Sequence, residues 1–396
     1  MVDFAIPDDV RMIRDAVRAF LEKEVEPERR RLGRLLADER LALGDDGFLR
    51  PEIVEAMRRV RRKSAQAGYY AMHMPESVGG AGVSKVATYL AWREVMKHGL
   101  DLNMAVLSFV EGPTPLFLRM TPEQQERWLA PMMRGETTSA FCLTEPGAGS
   151  DVGAIETTAV RRGDEYVLNG TKSYITNGPY ADHLQVFAKT DPSAGLYGIS
   201  LFMVPTDAPG VERGAAQQSI LNDGGQCEYH LRDVRVPVED RVGDEGEGFA
   251  LAIGNIGDTR VTIGGQAVGL AESLLERMVD YANQRQAFGR PIGKQGQLQY
   301  YVAESATEIY AADNMVLNTC WRIDQGMDVV KESSMVKLYC TEMAFRVADR
   351  AVQLHGGSGL MKEVGIERAF RYARLLRIPE GTSEIQRWTI AKTLGL

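Results

Sequence analysis

The spacing of apolar residues changes twice along this chain of 396 residues. It follows the helical period up to about residue 138, alternates as in β-strands up to about residue 243, and then returns to the helical period. Helices on both sides of a strand-rich insert predict the α+β class, because repeated βα units are missing. The pattern predicts an all-helical domain over residues 1–138, a β domain over residues 139–243 and a second helical domain over residues 244–396.

Capping residues predict where several helices begin. Asp8 or Asp9 is expected to cap the first helix, and Thr121 in "TPEQQ" is expected to cap another. Near the C-terminus, Ser383 followed three residues later by Gln386 predicts a capping box, with a helix that begins just after Ser383.

Two turn signals divide the segment "TTAVRRGDEYVLNGTKSYITN", residues 157–177. "RRGDE" predicts a turn between two strands, and "NGTK" predicts a second hairpin. "HLQVFAKT" and "GISLFMVP" predict two further strands. These short strands predict a small β domain between the helical parts.

Composition excludes several classes of function. The net charge of −8 argues against a nucleic-acid-binding protein, which usually carries a basic face. The 4 cysteines are widely spaced, with no pair at metal-ligand or redox spacing, so no metal site is predicted. The N-terminal segment lacks the apolar core of a signal peptide, and no apolar run approaches the ~20 residues of a membrane span. These features predict a cytoplasmic protein without a membrane span.

The stretch "RIPEGTSEIQR", residues 377–387, places a carboxylate at a tightly specified joint. Glu380 lies between Pro379, which has no N–H group, and Gly381, which tolerates almost any backbone angle. An acidic residue near a helix start has an ordinary explanation in the helix dipole. The alternative is a carboxylate aimed at a ligand, and this joint alone does not decide between the two.

Polar and glycine-rich stretches mark further candidate sites. They are "AFCLTEPGAGSDVGA", "KSYITNG", "RQAFGRPI" and "QLHGGSG", whose main-chain N–H groups and hydroxyls could approach a ligand closely. In the last of them the backbone at Gly356 and Gly357 could pass close to a pyrophosphate. The chain has neither G-x-G-x-x-G nor a P-loop, so a phosphate-bearing cofactor would be held in another way.

Taken in order, these motifs resemble the acyl-CoA dehydrogenase family of flavoenzymes across nearly the whole chain. The matching segments are "TEPGAGSD", "YITNG", "RQAFGRPI", "QLHGGSG" and "EGTSEIQR". The resemblance implies an N-terminal helical domain, a middle β-barrel and a C-terminal four-helix bundle. It also implies FAD as cofactor, an electron-transfer flavoprotein as electron acceptor, and a homotetramer built as a dimer of dimers.

The resemblance assigns cofactor contacts to positions that match the family's motifs. Those expected along the flavin, its N5 and its phosphates are Phe141, Leu143, Thr144, Ser150, Tyr174 and Thr176. Those expected to reach the adenine dinucleotide half from a second subunit are Arg285, Phe288, Gln353 and Gly357, and Gly356 is a further expected cofactor contact. Thr382 and Glu384 follow the base and are expected to contact the cofactor.

By the same resemblance, Glu380 is the catalytic base of an α,β-dehydrogenation of an acyl-CoA thioester. A carboxylate needs an apolar pocket to raise its pKa for this task. Some relatives carry the base on an earlier helix, but the corresponding residue here is Thr259, which favours Glu380 as the sole base. Substrate contacts are expected from Ser150, Asp258, Arg260 and Gly381, although for Arg260 an ordinary helix-packing ion pair is nearly as good an explanation.

The motifs do not specify the acyl group of the substrate. Asn103 and Leu107 are candidates for the floor of the acyl pocket, although core packing is the better explanation for most of their helix. Pro379 stands where relatives often have an aromatic residue, and Tyr174 stands where tryptophan is usual. An acyl-CoA oxidase that uses O₂, and a catalytically silent acyl-CoA-binding protein, are the alternative functions.

Overall fold

A computed structural model describes residues 5–396, which contain helices and an eight-stranded sheet. The helices are α1 Asp8–Phe20, α2 Glu26–Leu32, α3 Arg34–Ala37, α4 Glu39–Ala42, α5 Pro51–Gln66, α6 Lys85–Lys97, α7 Pro122–Gln124, α8 Ala130–Met133, α9 Gly248–Gln284, α10 Gly296–Asp324, α11 Val330–His355, α12 Ile366–Leu375 and α13 Ser383–Thr393. Short π-helical segments, Leu21–Val25 and Gln125–Leu129, follow α1 and α7 directly.

The strands are β1 Ser139–Cys142, β2 Thr158–Arg162, β3 Glu165–Thr176, β4 His183–Lys189, β5 Ile199–Pro205, β6 Val211–Ala216, β7 Gln226–Pro237, β8 Arg241–Val242, β9 Gln286–Ala287 and β10 Arg290–Pro291. The large sheet has the order β6-β7-β3-β2-β4-β5-β8, with β1 added parallel to β4. β9 and β10 form a separate two-stranded hairpin. The predicted α+β class is confirmed.

The chain forms two compact units. The sheet unit consists of residues 31–82 and 105–256. Its sheet is covered on both sides, because the neighbouring β5 residues Leu201 and Phe202 point into different apolar clusters. One cluster contains Phe187 and Trp128, and the other contains Tyr166.

The helical unit consists of the residues up to Arg30, residues 83–104 and residues 257–396. Glycines on α9 allow its neighbours to approach closely. A Cβ at Gly264 would come within 2.5 Å of Val336 on α11, and one at Gly269 would come within 2.2 Å of the main-chain oxygen of Arg93 on α6. Arg93 also pairs with Glu272 on α9 and, at 3.0 Å, with Asp313 on α10. Together, α6, α9, α10 and α11 form the packed bundle that positions the C-terminal segment.

Several local predictions can be compared with these elements. Thr121 caps α7 as predicted, accepting from the N–H of Gln124 at 3.3 Å. The expected cap at Asp8 or Asp9 is wrong, because Pro7 occupies the N-cap position of α1 and no side chain caps it. The "RRGDE" turn is confirmed between β2 and β3.

The hairpin predicted at "NGTK" is wrong. β3 runs through this segment, and its pairing with β7 shifts register between Leu168 and Gly170. The segment therefore stays within β3, next to a β-bulge. The residues before and after it both pair with β7, and this pairing overrides the local turn preference of Asn-Gly.

Among residues 5–396, none of the helices combines the length and the apolar character that a membrane-spanning helix requires. The same residues contain no group of three or more His, Cys, Asp or Glu side chains that could hold a metal ion.

Candidate active site

In the helical unit, the loop between α12 and α13 presents Glu380 in a strained backbone conformation. Its φ of 58° lies in the left-handed region, which is unfavourable for a residue with a Cβ, and Gly381 follows with φ 89°. Such outliers persist only where the surrounding structure fixes them, and they concentrate at functional sites.

Main-chain carbonyls of this loop are held by side chains from three helices. The Glu380 carbonyl accepts from Arg260 Nε at 3.3 Å and from Gln386 Nε2 at 3.1 Å. The Gly381 carbonyl accepts from Gln386 Nε2 at 2.9 Å and from Lys337 Nζ at 2.7 Å. These bonds reach the loop from α9, α11 and α13, and they fix the backbone on which the carboxylate stands.

The carboxylate itself is bound on one oxygen and partly desolvated. Thr259 Oγ1 donates to Glu380 Oε2 at 2.7 Å. Desolvation raises the pKa of Glu380 above its ordinary value, while the Thr259 hydrogen bond and the charges of Arg260 and Lys337 act in the opposite direction. A carboxyl group with a raised pKa is a better proton acceptor than one in water.

The helix start after this loop differs from the prediction. Thr382, rather than Ser383, caps α13, because its Oγ1 accepts from the N–H of Ile385 at 3.3 Å. Ser383 Oγ instead donates to Glu342 at 2.7 Å. The predicted capping box is therefore wrong, and the Gln386 side chain instead donates to the carbonyls of Glu380 and Gly381.

Three further predicted site residues, at the start of α13 and on α9, have charged or polar partners within the protein. Glu384 is exposed and lies 3.6 Å from Arg387. Asp258 pairs with Lys85 Nζ at 2.6 Å. Arg260 is buried and donates to the Glu380 carbonyl and, at 3.3 Å, to Ser334, so it orders the base loop through the main chain.

The two candidates for the acyl pocket are both buried. Asn103, in the helical unit, donates to the Val95 carbonyl at 3.1 Å and accepts from Arg29 at 2.7 Å. Both groups of its amide are therefore bound by the protein. Leu107, in the sheet unit, is also buried, so the assignment of either residue to an acyl pocket stays a prediction.

In the sheet unit, the "LTEPGAGSD" loop is anchored by a buried ion pair. Lys172 Nζ donates to Glu145 at 2.7 Å and to the Leu143 carbonyl at 3.3 Å. Glu145 also accepts from the N–H groups of Glu156 at 2.6 Å and Thr157 at 3.1 Å. These bonds tie both ends of the loop that carries Thr144 and Ser150 to the interior of the unit.

The predicted cofactor residues of this region differ in exposure. Phe141 is half-buried against Phe187, with ring centroids 4.7 Å apart. Leu143 is buried, and Thr144 is half-buried, its carbonyl accepting from the N–H of Ser173 at 3.0 Å. Ser150 is exposed.

At the end of β3, Tyr174 and Thr176 project outward. Tyr174 is 64% exposed and has φ 58°. Its N–H donates to Gln217 Oε1 at 2.7 Å, and Gln217 Nε2 donates to Ser173 Oγ at 2.9 Å. Gln217 therefore holds the strained backbone that turns the ring outward.

In the helical unit, the residues expected to serve a second subunit lie at the ends of α9 and α11. Arg285 follows the end of α9, and Phe288 stands at the tip of the β9-β10 hairpin, 94% exposed with φ 53°. Gln353 is exposed in the last turn of α11, and a Cβ at Gly356 or Gly357 would meet nothing within 4 Å.

Positive φ angles offer a signal that does not depend on motifs. Within residues 5–396, the non-glycine residues with positive φ are Asn or Asp with the exception of Tyr174, Phe288 and Glu380. Asn and Asp tolerate this region, whereas large side chains are strained in it. The three remaining outliers are all residues that the motifs had singled out.

Sequence reasoning missed Lys337 and Gln217. Lys337 falls among the buried positions of α11, between Val336 and Cys340. A lysine at helical spacing from apolar residues such as Cys340 and Ala344 was the available signal, since lysine is almost never fully buried unless paired. Gln217 had no such signal, because only the fold brings it to Tyr174.

Comparison with known proteins gives the class. Sequence profiles of the acyl-CoA dehydrogenase N-terminal, middle and C-terminal domains match residues 7–136, 140–234 and 246–395. The chain is 38% identical to a 3-(aryl)acrylate reductase of Clostridium sporogenes, over 97% of each chain. It is 34% identical to the CarC subunit of a caffeyl-CoA reductase-Etf complex of Acetobacterium woodii, also over 97% of each chain. A solved FAD complex of PigA matches with a TM-score of 0.88 and 26% identity over 100% of each chain.

The chain therefore belongs to the acyl-CoA dehydrogenase family. It is an FAD-dependent oxidoreductase that acts on a CH–CH bond.

Each unit, taken by itself, presents features that fit a bound flavin dinucleotide. Exposed aromatic rings such as Tyr174 and Phe288 gain from being covered by a planar aromatic group. A Cβ at Gly147, Gly149 or Gly357 would meet nothing within 4 Å. Main-chain amides at such open glycines can be approached closely by phosphate oxygens.

Proposed function

We propose that this protein dehydrogenates an acyl-CoA thioester to the trans-2-enoyl-CoA with Glu380 as catalytic base. Glu380 takes the α-proton onto its carboxylate, and a hydride leaves the β-carbon. The bound flavin supplies the acceptor for that hydride, so two electrons and one proton leave the substrate with it. The observation that supports this role best is a half-buried carboxylate on a strained, multiply anchored loop.

The hydrogen bonds that restrain the Glu380 loop help the carboxylate to remove a proton from a weakly acidic C–H group. A base that must meet an α-carbon needs a fixed position, since a displacement of about 1 Å can cost 10²-fold in rate. The hydrogen bonds from Arg260, Lys337 and Gln386 restrain the loop at its carbonyls. Thr259 orients the carboxylate by binding one oxygen, which leaves the other oxygen for the proton.

The cofactor contacts are proposed residue by residue from the family's motifs. Phe141, Leu143, Thr144, Ser150, Tyr174 and Thr176 of the sheet unit, with Thr382 and Glu384 of the helical unit, would hold the flavin and its phosphates. A second copy of the chain would supply Arg285, Phe288, Gln353 and Gly357, with Gly356 as a further cofactor contact. Phe288 supports this, because a phenyl ring 94% exposed at a hairpin tip gains from a partner surface. We extend this to a homotetramer built as a dimer of dimers.

The proposed electron acceptor is an electron-transfer flavoprotein. The name of the A. woodii relative, a subunit of an enzyme complex with Etf, supports this choice. That relative and the C. sporogenes protein are named as reductases. The reverse reaction uses the same CH–CH bond and the same proton-transfer group, so the direction in the cell follows from the acceptor or donor available. A cytoplasmic location stays a prediction.

An anaerobic spectral titration tests the proposed function. The purified protein should show the visible spectrum of oxidised FAD, and at least one saturated acyl-CoA from a panel of different lengths and branching should bleach it. Including arylpropionyl-CoA thioesters tests whether the substrate resembles that of the aryl-acrylate relative. A protein that stays colourless after reconstitution with FAD would contradict the proposal.

The same sample separates the alternative functions. Admitting air to the substrate-reduced protein should restore the oxidised spectrum slowly, whereas rapid reoxidation would identify an acyl-CoA oxidase. Tight binding of acyl-CoA with no bleaching for any thioester would identify a catalytically silent binding protein.

Replacing Tyr174 with glycine should separate flavin binding from backbone strain. Glycine accepts φ 58° without penalty, so we expect the apoprotein to gain about 1 kcal/mol in unfolding free energy. Loss of the ring should weaken FAD binding about tenfold. Unfolding of the apoprotein in urea and fluorescence titration with FAD measure the two effects.

Asn222→Gly is the matched control, because Asn222 also has a positive φ, 51°, and belongs to the same unit. It should leave FAD affinity unchanged. A Tyr174→Gly variant that binds FAD as tightly as the wild type would remove Tyr174 from the proposed site.

A further inference from the structure

Lys337 is a fully buried lysine on α11, in the helical unit. Its Nζ donates to the Gly381 carbonyl at 2.7 Å, so its hydrogen bond goes to the main chain of the base loop. A buried ammonium is costly because it loses its hydration. Burial indeed lowers the pKa of Lys337 to about 8, although the charge of Glu380 acts in the opposite direction. A feature this unfavourable to folding calls for a functional explanation.

The charges around Lys337 come from three helices and the base loop. Besides Glu380, the groups facing it are Arg260 on α9, Glu342 on its own helix and Glu384 on α13. Glu342 is already bound by Arg377 at 3.0 Å and by Ser383. Glu384 lies 3.6 Å from Arg387. Both of these acids have other cationic neighbours, and among the three carboxylates Glu380 interacts most strongly with the charge of Lys337.

We propose that Lys337 is a positioning residue for the catalytic base, acting through both its hydrogen bond and its charge. The hydrogen bond pins the Gly381 carbonyl and thereby the left-handed backbone of Glu380. The charge favours the ionised form of Glu380, which is the form that can take a proton. This inference rests on the proposed role of Glu380 as base.

The two roles of Lys337 complement those of its neighbours. Arg260 and Gln386 bind the Glu380 carbonyl, one residue before the carbonyl that Lys337 binds. Desolvation keeps the proton affinity of Glu380 high, and Lys337 limits this effect. Without Lys337, Glu380 would stay protonated to a higher pH and would be unable to act as base there.

Two substitutions separate the hydrogen bond from the charge. Lys337→Met removes both, whereas Lys337→Gln removes the charge and keeps a donor. In both variants the acid limb of the pH profile for anaerobic flavin reduction should move up by about one pH unit. At the high-pH plateau, Lys337→Met should lose about 30-fold in kcat with KM unchanged, and Lys337→Gln should lose less.

A second readout follows the carboxyl group directly. The infrared band of protonated Glu380, identified as the band missing in Glu380→Gln, should titrate about one pH unit higher in both Lys337 variants. Replacing a lysine with a purely structural role would lower the unfolding temperature and leave both titrations unchanged.

Thr341→Val is the control for packing on α11, one turn further along. Thr341 is buried and its hydroxyl donates to the Lys337 carbonyl at 2.8 Å. This variant should leave the pH profile in place. Unshifted titrations in both Lys337 variants would overturn the inference while leaving Glu380 as base. Full activity of Glu380→Gln would instead overturn the proposed function, whatever Lys337 does.

Discussion

Glu380→Gln is expected to lower the rate of flavin reduction by acyl-CoA by about 10³–10⁴-fold while FAD content stays unchanged. The amide has nearly the shape of the carboxyl group and can still accept the hydrogen bond from Thr259. It cannot accept the α-proton, because an amide is far less basic than a carboxylate. The left-handed backbone and the carbonyl bonds of the loop do not depend on the charge of the side chain. Anaerobic stopped-flow spectroscopy measures the loss.

Two further variants make this result specific. Glu380→Asp keeps the charge but withdraws the carboxylate by one methylene, so we expect a loss of about 10²-fold. Glu332→Gln on α11 is the control, because Glu332 is a partly buried acid that lies 3.6 Å from Arg322. It should reduce flavin at the wild-type rate. A Glu380→Gln variant within tenfold of the wild type would refute the assignment of the base.

The fold class follows from the sequence because the change of period is a property of long segments. Individual turns are less predictable, as "NGTK" shows. Asn-Gly favours a hairpin locally, yet both flanks of this segment pair with β7, and the register shift leaves the extra residue in β7, where Arg232 and Asp233 lie opposite Asn169. Pairing with β7, which is distant in sequence, keeps the segment in an extended strand.

The Glu380 joint shows what sequence can and cannot predict about the site. Pro379 and Gly381 indicated a constrained backbone, but a positive φ at Glu380 itself is imposed by groups more than forty residues away, such as Lys337 and Thr259. The same holds for Tyr174, which Gln217 holds from another part of the chain. Local preference would have placed both residues in ordinary conformations, since the strain is stabilised only by tertiary contacts.

Lys172→Met is expected to lower the unfolding free energy of the apoprotein by about 3–5 kcal/mol. Lys172 is fully buried, and its loss leaves the buried carboxylate of Glu145 without its countercharge. Although burial alone would raise the pKa of Glu145, Lys172 and the N–H groups of Glu156 and Thr157 hold it below its ordinary value. Urea-induced unfolding of the apoprotein measures the change.

The origin of this loss can be tested by pH and by a second substitution. In the wild type, the lowered pKa of Glu145 contributes stability at neutral pH that is lost as the pH falls through that pKa. In Lys172→Met the unpaired carboxylate of Glu145 has a raised pKa, and its protonation removes the buried charge. The difference in unfolding free energy between the wild type and Lys172→Met should therefore become smaller at acidic pH.

Glu145→Gln added to Lys172→Met should restore about 1–3 kcal/mol, because the neutral amide still accepts from the main chain and no buried charge remains. A double variant less stable than Lys172→Met would show that packing, rather than charge, causes the loss. Because the ion pair anchors the loop that carries Thr144 and Ser150, FAD affinity should follow the same order as stability in these proteins. Restored stability without restored FAD binding would mean that the charge pair itself, and not only the anchored loop, is needed to hold the cofactor.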